Sequence, residues 1–96
     1  MVILNVIYTM KEGKKAADFW NELEETGLAP YCRTEKGNHR YQYFSPCNGE
    51  NTLFLLENWE DDECLAAHMA TENFAKIGAV KEKYVESVDL KKFYTE

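Results

Sequence analysis

The chain has 96 residues, 45% hydrophobic and 14% aromatic, enough for one compact core and too few for two, so residues 1–96 are expected to form a single domain. Seventeen acidic against eleven basic residues leave a net charge of −6, and the basic pairs Lys14-Lys15 and Lys91-Lys92 stand far apart, which argues against nucleic acid or an anionic membrane as partner. Three cysteines (Cys32, Cys47 and Cys64) with no C-x-x-C read as reduced thiols, and an apolar start without a basic leader or a membrane-length apolar run points to the cytoplasm.

Val2 to Tyr8 is rich in β-branched residues and reads as a strand closed by Lys11-Glu12-Gly13. Val2, Leu4, Val6 and Tyr8 fall on one side and Ile3, Asn5 and Ile7 on the other, so both faces are apolar and Asn5 is the polar exception. From Lys14 the period changes. Ala16, Phe19, Trp20 and Leu23 carry one face of an amphipathic helix, interrupted by Gly27 and Pro30 and followed by a short helical segment, Pro30 to Lys36, stopped at Gly37. His39 to Ser45 alternates His39, Tyr41 and Tyr43 against Arg40, Gln42 and Phe44, a strand with an aromatic face. Asn48-Gly49 marks the turn, and Thr52 to Trp59 is the returning strand.

Glu60 to Glu63 concentrate negative charge where the next helix begins, as its dipole favours. Leu65, His68 and Met69 share a face of that helix. Thr71 restarts it as a fresh N-cap, and Phe74, Ile77, Val80 or Lys81, Tyr84 and Val88 continue the stripe. Ser87 to Tyr94, of mixed polarity, closes the chain as an edge strand. The order βαββαβ predicts an α+β, ferredoxin-like fold: a four-stranded antiparallel sheet with the helices on one face. The other, apolar face then calls for a homodimer in which two sheets pack as a shared α+β barrel.

The stretches E-K-G-N-H-R-Y-Q-Y (Glu35 to Tyr43) and L-L-E-N-W-E-D-D-E-C-L-A-A-H-M-A-T (Leu55 to Thr71) resemble the antibiotic biosynthesis monooxygenase family, whose members include quinol monooxygenases. The opening L-N-V-I-Y-T-M-K-E-G-K and the closing K-Y-V-E-S-V-D-L-K-K-F extend the resemblance over nearly the whole chain. It implies a dimeric α+β barrel and a cofactor-free oxygenase acting with dioxygen on an electron-rich aromatic. The fold also hosts isomerases, haem-degrading enzymes and members without an assigned reaction. Gly78 stands where the haem-degrading branch has its histidine, so haem degradation is not implied; Asn73 replaces a second histidine that many relatives carry.

Set against that family, His68 is the expected proton acceptor and Asn5 an orienting group, with Tyr41, Tyr43 and His39 as substrate contacts or core aromatics and Trp59 as a pocket wall. Glu57 is either a dimer-interface ion-pair partner, with Arg33 or Arg40 as its mate, or an inward carboxylate, and the pairing is expected. Cys64 and His68 lie four apart on a helix, but nothing nearby in sequence supplies a third ligand, and no metal is expected. Phosphate loops, dinucleotide fingerprints and nucleophile elbows are absent, so no flavin, nicotinamide or nucleotide cofactor is expected. Proton-shuttling isomerisation in the same pocket, and a non-catalytic dimeric module binding a small ligand, remain as alternatives.

Overall fold

A computed structural model describes all residues, 1–96. Strand β1 (Val2–Met10) buries Val2, Leu4, Val6, Tyr8 and Met10 on one side, as its period of two dictates. Helix α1 (Ala16–Glu25) turns Phe19 and Leu23 inward, and α2 (Leu28–Thr34) turns in Leu28, Ala29 and Cys32. The two are separated by Gly27 at φ 81°, a left-handed conformation that side-chain-bearing residues avoid. The second helix therefore starts at Leu28, before Pro30, and the proline is accommodated in its first turn.

Strands β2 (Asn38–Phe44) and β3 (Thr52–Trp59) form the expected hairpin. Asp61 caps α3 (Asp62–Met69) by accepting the Cys64 N–H at 2.9 Å, and Thr71 caps α4 (Glu72–Tyr84) by accepting the Phe74 N–H at 3.0 Å. The helical stripe ends at Tyr84 rather than Val88. Strand β4 (Val85–Tyr94) takes over because Val85 pairs with Met10 at the far end of β1, so backbone ladder bonds compete successfully for those residues.

All pairings are antiparallel in the order β2-β3-β1-β4, which places β4 at an edge, as its polarity predicts. One continuous core joins the inner residues of β1, β2 and β3 to Phe19, Leu23, Leu28, Cys32, Leu65, Ile77 and Val80 of the helices. Ile3, Asn5 and Ile7 lie outside it, on the opposite, uncovered face. This is the ferredoxin-like α+β architecture. The helical layer does not reach over β4, whose inner residues Val88 and Leu90 remain 49% and 54% exposed. That gap opens a cleft between helices and sheet. No helix is long and apolar enough to cross a membrane.

Candidate active site

His68 lies near the end of α3, one face of which packs on β3, and is 3% exposed. Its Nδ1 is 2.7 Å from Glu35 Oε1, and its Nε2 is 4.0 Å from Glu57 Oε1. Aromatic rings enclose it: Trp59 stacks at 4.6 Å, and Phe74 and Tyr41 present edges at 5.2 and 6.0 Å. Glu57 is itself buried, and its carboxylate accepts the Trp59 indole N–H at 3.0 Å. Burial pushes the Glu57 carboxyl above the ordinary range, opposed by that hydrogen bond and by the nearby His68 and Lys81. Two carboxylates thus flank one imidazole. Glu35, accepting at Nδ1–H, selects the tautomer that leaves Nε2 free to take a proton.

The sheet explains how these groups meet. Tyr41 on β2, Glu57 on β3 and Leu4 on β1 form one row across the strands, with Tyr43, Leu55 and Val6 in the next. The Tyr41 and Tyr43 rings meet edge to face at 5.8 Å, and burial raises both phenols well beyond the usual value, so neither ionises near neutrality. Glu35 follows the last turn of α2, where Gly37 at φ 80° bends the chain into β2. A Cβ at Gly37 would run into the Cys64 side chain on α3, so the glycine brings Glu35 and α3 together.

His68 and Glu35 border an outer cleft of about 320 Å³ that also touches Thr34 and Thr71. His68 and Glu57 border an inner, mostly apolar cleft of about 90 Å³, lined further by Tyr8, Phe74, Leu90 and Lys81. The imidazole is the one ring common to both. A larger open groove of about 540 Å³ runs along α1 past Asp18, Glu22 and Glu25, away from these groups.

Tyr41, Trp59 and His68 come together, with Tyr43 beside Tyr41, but only His68 reaches a cleft: Trp59 and Tyr41 are closed into the core around it, so the wall and the substrate contacts expected of them are not where the clefts lie. Two expected members do not join them. Asn5 pairs with Leu56 and Lys91 in the sheet and shares the uncovered face with Ile3 and Ile7, because strand alternation turns it away from Leu4 and Val6. His39 sits at a β-bulge, where the register of β2 slips between Asn38 and Arg40; the extra residue takes it out of the Tyr41 face and onto the surface, where it pairs with Glu60. The ion pairing expected of Glu57 is also absent. Arg33 forks onto Glu24 at 2.8 and 2.9 Å, and Arg40 bonds Gln42, while Glu57 faces inward.

Glu35 went unrecognised in the sequence because its place follows from the Gly37 bend, a tertiary feature. Glu57 had a signal, since it shares parity with Leu53, Leu55 and Trp59. The donor atoms of Cys32, Glu35 and His68 lie within 4.8 Å of one another, the set that could converge on a metal ion. Burial pushes the Cys32 thiol up to about 12, and it donates to the Leu28 carbonyl, so it would have to lose a tightly held proton to become a ligand.

Residues 1–80 match the model of the family described as antibiotic biosynthesis monooxygenase. The chain is 31% identical over 74 residues to a Bacillus subtilis (strain 168) protein named Putative monooxygenase YcnE, a match spanning 77% of this chain and 75% of that one. Among solved structures it is similar to PA3566 from Pseudomonas aeruginosa, with a TM-score of 0.84 at 24% identity over 99% of this chain and 93% of that one. It also superposes on SnoaB, a cofactor-independent oxygenase from Streptomyces nogalater, with a TM-score of 0.83 at 14% identity, covering 99% and 92% of the two chains. A match over most of its length, to a family with this fold, makes the chain a member of the antibiotic biosynthesis monooxygenase family.

Proposed function

We propose that the protein is a cofactor-independent monooxygenase of quinols or related polyhydroxylated aromatics, with His68 as the proton acceptor. The observation that carries this reading is the buried imidazole held at Nδ1 by Glu35 and bordering, with Glu57, an apolar cleft. A hydroxyl about 2.8 Å from His68 Nε2, its one proton directed at that nitrogen, fits the space beside Glu57, whose Oε1 lies 4.0 Å from Nε2. It would give its proton to Nε2, and Glu35 would steady the imidazolium so formed. Glu35 borders the outer cleft, a route by which that proton can reach water.

The phenolate left behind is the reductant. Over the whole reaction a ring C–H becomes C=O, one atom of dioxygen stays in the product, and the other leaves as water with the two protons the substrate has lost. The substrate supplies all four electrons, so the protein need provide only a dry cleft, a base and a fixed orientation. Phe74 and Tyr8 would form aromatic walls around the reacting ring, with Trp59 packed behind His68 and out of reach of a ligand. Oxygen uptake with a panel of quinols, corrected for autoxidation, tests this: uptake that requires the protein and falls with His68→Ala supports it, and uptake equal to the blank overturns it.

A second reading, proton-shuttling isomerisation of a small carbonyl compound, draws on the Glu57 carboxyl, whose raised pKa suits a donor opposite the His68 acceptor. Turnover that persists under argon would select it. We also propose that the protein acts as a homodimer through its uncovered sheet face. Ile3, Ile7, Phe54 and Leu56 form the apolar centre of that face, with Arg40, Asp89 and Lys91 on the edge strands.

A further inference from the structure

We infer that the inner cleft contains an anion subsite at Lys81, so that its ligands are hydroxylated aromatics that also carry an acidic group. This rests on the aromatic-substrate reading above and narrows it. Lys81 lies on α4 seven residues after Phe74 and four after Ile77, the spacing that puts all three on one helical face, toward the sheet. Its ammonium is held between two rings, 5.8 Å from the centre of Tyr8 and 5.7 Å from that of Phe74. The residue is half-buried and lines the cleft, yet takes part in none of the protein's salt bridges.

Other lysines behave differently. Lys76, Lys83 and Lys92 each reach a carboxylate on the surface, and the other lysines without a salt bridge, Lys11, Lys14, Lys15, Lys36 and Lys91, are all exposed to water, so Lys81 stands out as the one that is both half-buried and unpaired. Glu57 is the one carboxylate among the lining residues; Lys81 is near enough to act on its charge but forms no salt bridge with it, and Glu57 Oε1 accepts the Trp59 indole N–H instead. His68 and Lys81 both pack against Phe74, so a ring lying on Phe74 can present a hydroxyl to the imidazole and an anionic oxygen to the ammonium. In such a cleft a charge-assisted hydrogen bond is strong enough to set specificity.

The test uses 2,5-dihydroxybenzoate and its methyl ester, which differ in one ionised carboxyl group, titrated calorimetrically under argon. The acid is expected to bind at least about tenfold more tightly than the ester. Lys81→Met, which keeps the aliphatic stem, should level the two, and Lys81→Arg should restore the preference. An equal affinity for acid and ester in the unsubstituted protein, or a preference that survives in Lys81→Met, overturns the subsite while leaving the aromatic cleft standing. Binding of neither compound overturns both the subsite and the aromatic reading on which it rests.

Discussion

Glu35 and Glu57 flank the same imidazole but play different parts. Glu35 accepts from Nδ1 and favours the charged ring that forms when a proton is taken up, so Glu35→Gln keeps a hydrogen-bonding side chain but removes the charge. With an accepted substrate we expect kcat to fall by about a hundredfold with KM nearly unchanged, and His68→Ala to fall at least as far; stopped assays on folded variants check this. Glu57 costs the fold something instead. Its pKa is raised on folding, so the native state binds its proton more tightly than the unfolded chain does. Below the unfolded value, about 4.3, both states are protonated and the penalty vanishes; it grows as pH rises and is complete above the folded pKa. Glu57→Gln should therefore raise the melting temperature at pH 7, with the gain shrinking toward pH 4, and a gain that grew on acidification would refute this account. The inward position of Glu57 was legible in the alternation of its strand. Its partner Glu35 was not, since no periodicity reports which loop residue a bend will aim at a helix.

At the level of elements, two glycines turn the chain at the ends of α2, Gly27 before it and Gly37 after it, and they are not equivalent. Gly27 and Gly37 both have positive φ, but a Cβ at Gly27 meets nothing, whereas at Gly37 it collides with Cys64. Gly27→Ala should cost about 1–2 kcal/mol, the price of the left-handed backbone alone. Gly37→Ala should cost clearly more by urea unfolding, and should also slow turnover because Glu35 moves with the bend; equal costs would show that α3 yields freely. Strand and helix identities followed from their periods of two and near four, and the Thr71 cap from its place before the second stripe, whereas Asp61 was legible only as one of four acidic residues at the start of α3. Two things escaped that reading. The Val85–Val88 segment suits either a helix or a strand, and only the reach of β1 to Met10 decides for the strand. The bulge at His39 leaves no compositional mark, so counting by twos carried His39 onto the wrong face.

Across the whole molecule the sheet separates two jobs. One face carries the core and the imidazole with its two carboxylates; the other contributes nothing to that core, so it is free to be an interface. Successive rows across the uncovered face read Arg40, Asn58, Ile3, Phe93; then Gln42, Leu56, Asn5, Lys91; then Phe44, Phe54, Ile7, Asp89. Apolar residues dominate the middle strands and charges appear only at the edges, the distribution expected of a two-fold contact with a polar rim. Asn5, which the strand turns away from His68, sits in the centre of this pattern beside Leu56. If two copies pack there, folding is linked to association and the melting temperature must rise with protein concentration. Leu56→Lys places two like charges at the centre of a symmetric contact without touching the core on the opposite side. It should weaken association by more than about a hundredfold, roughly 3 kcal/mol, and abolish the concentration dependence while leaving a folded monomer by circular dichroism. Sedimentation equilibrium reads the outcome: a dimer that becomes a folded monomer supports the interface. An unsubstituted protein already monomeric at micromolar concentration rules it out, as does a Leu56→Lys variant that remains a dimer.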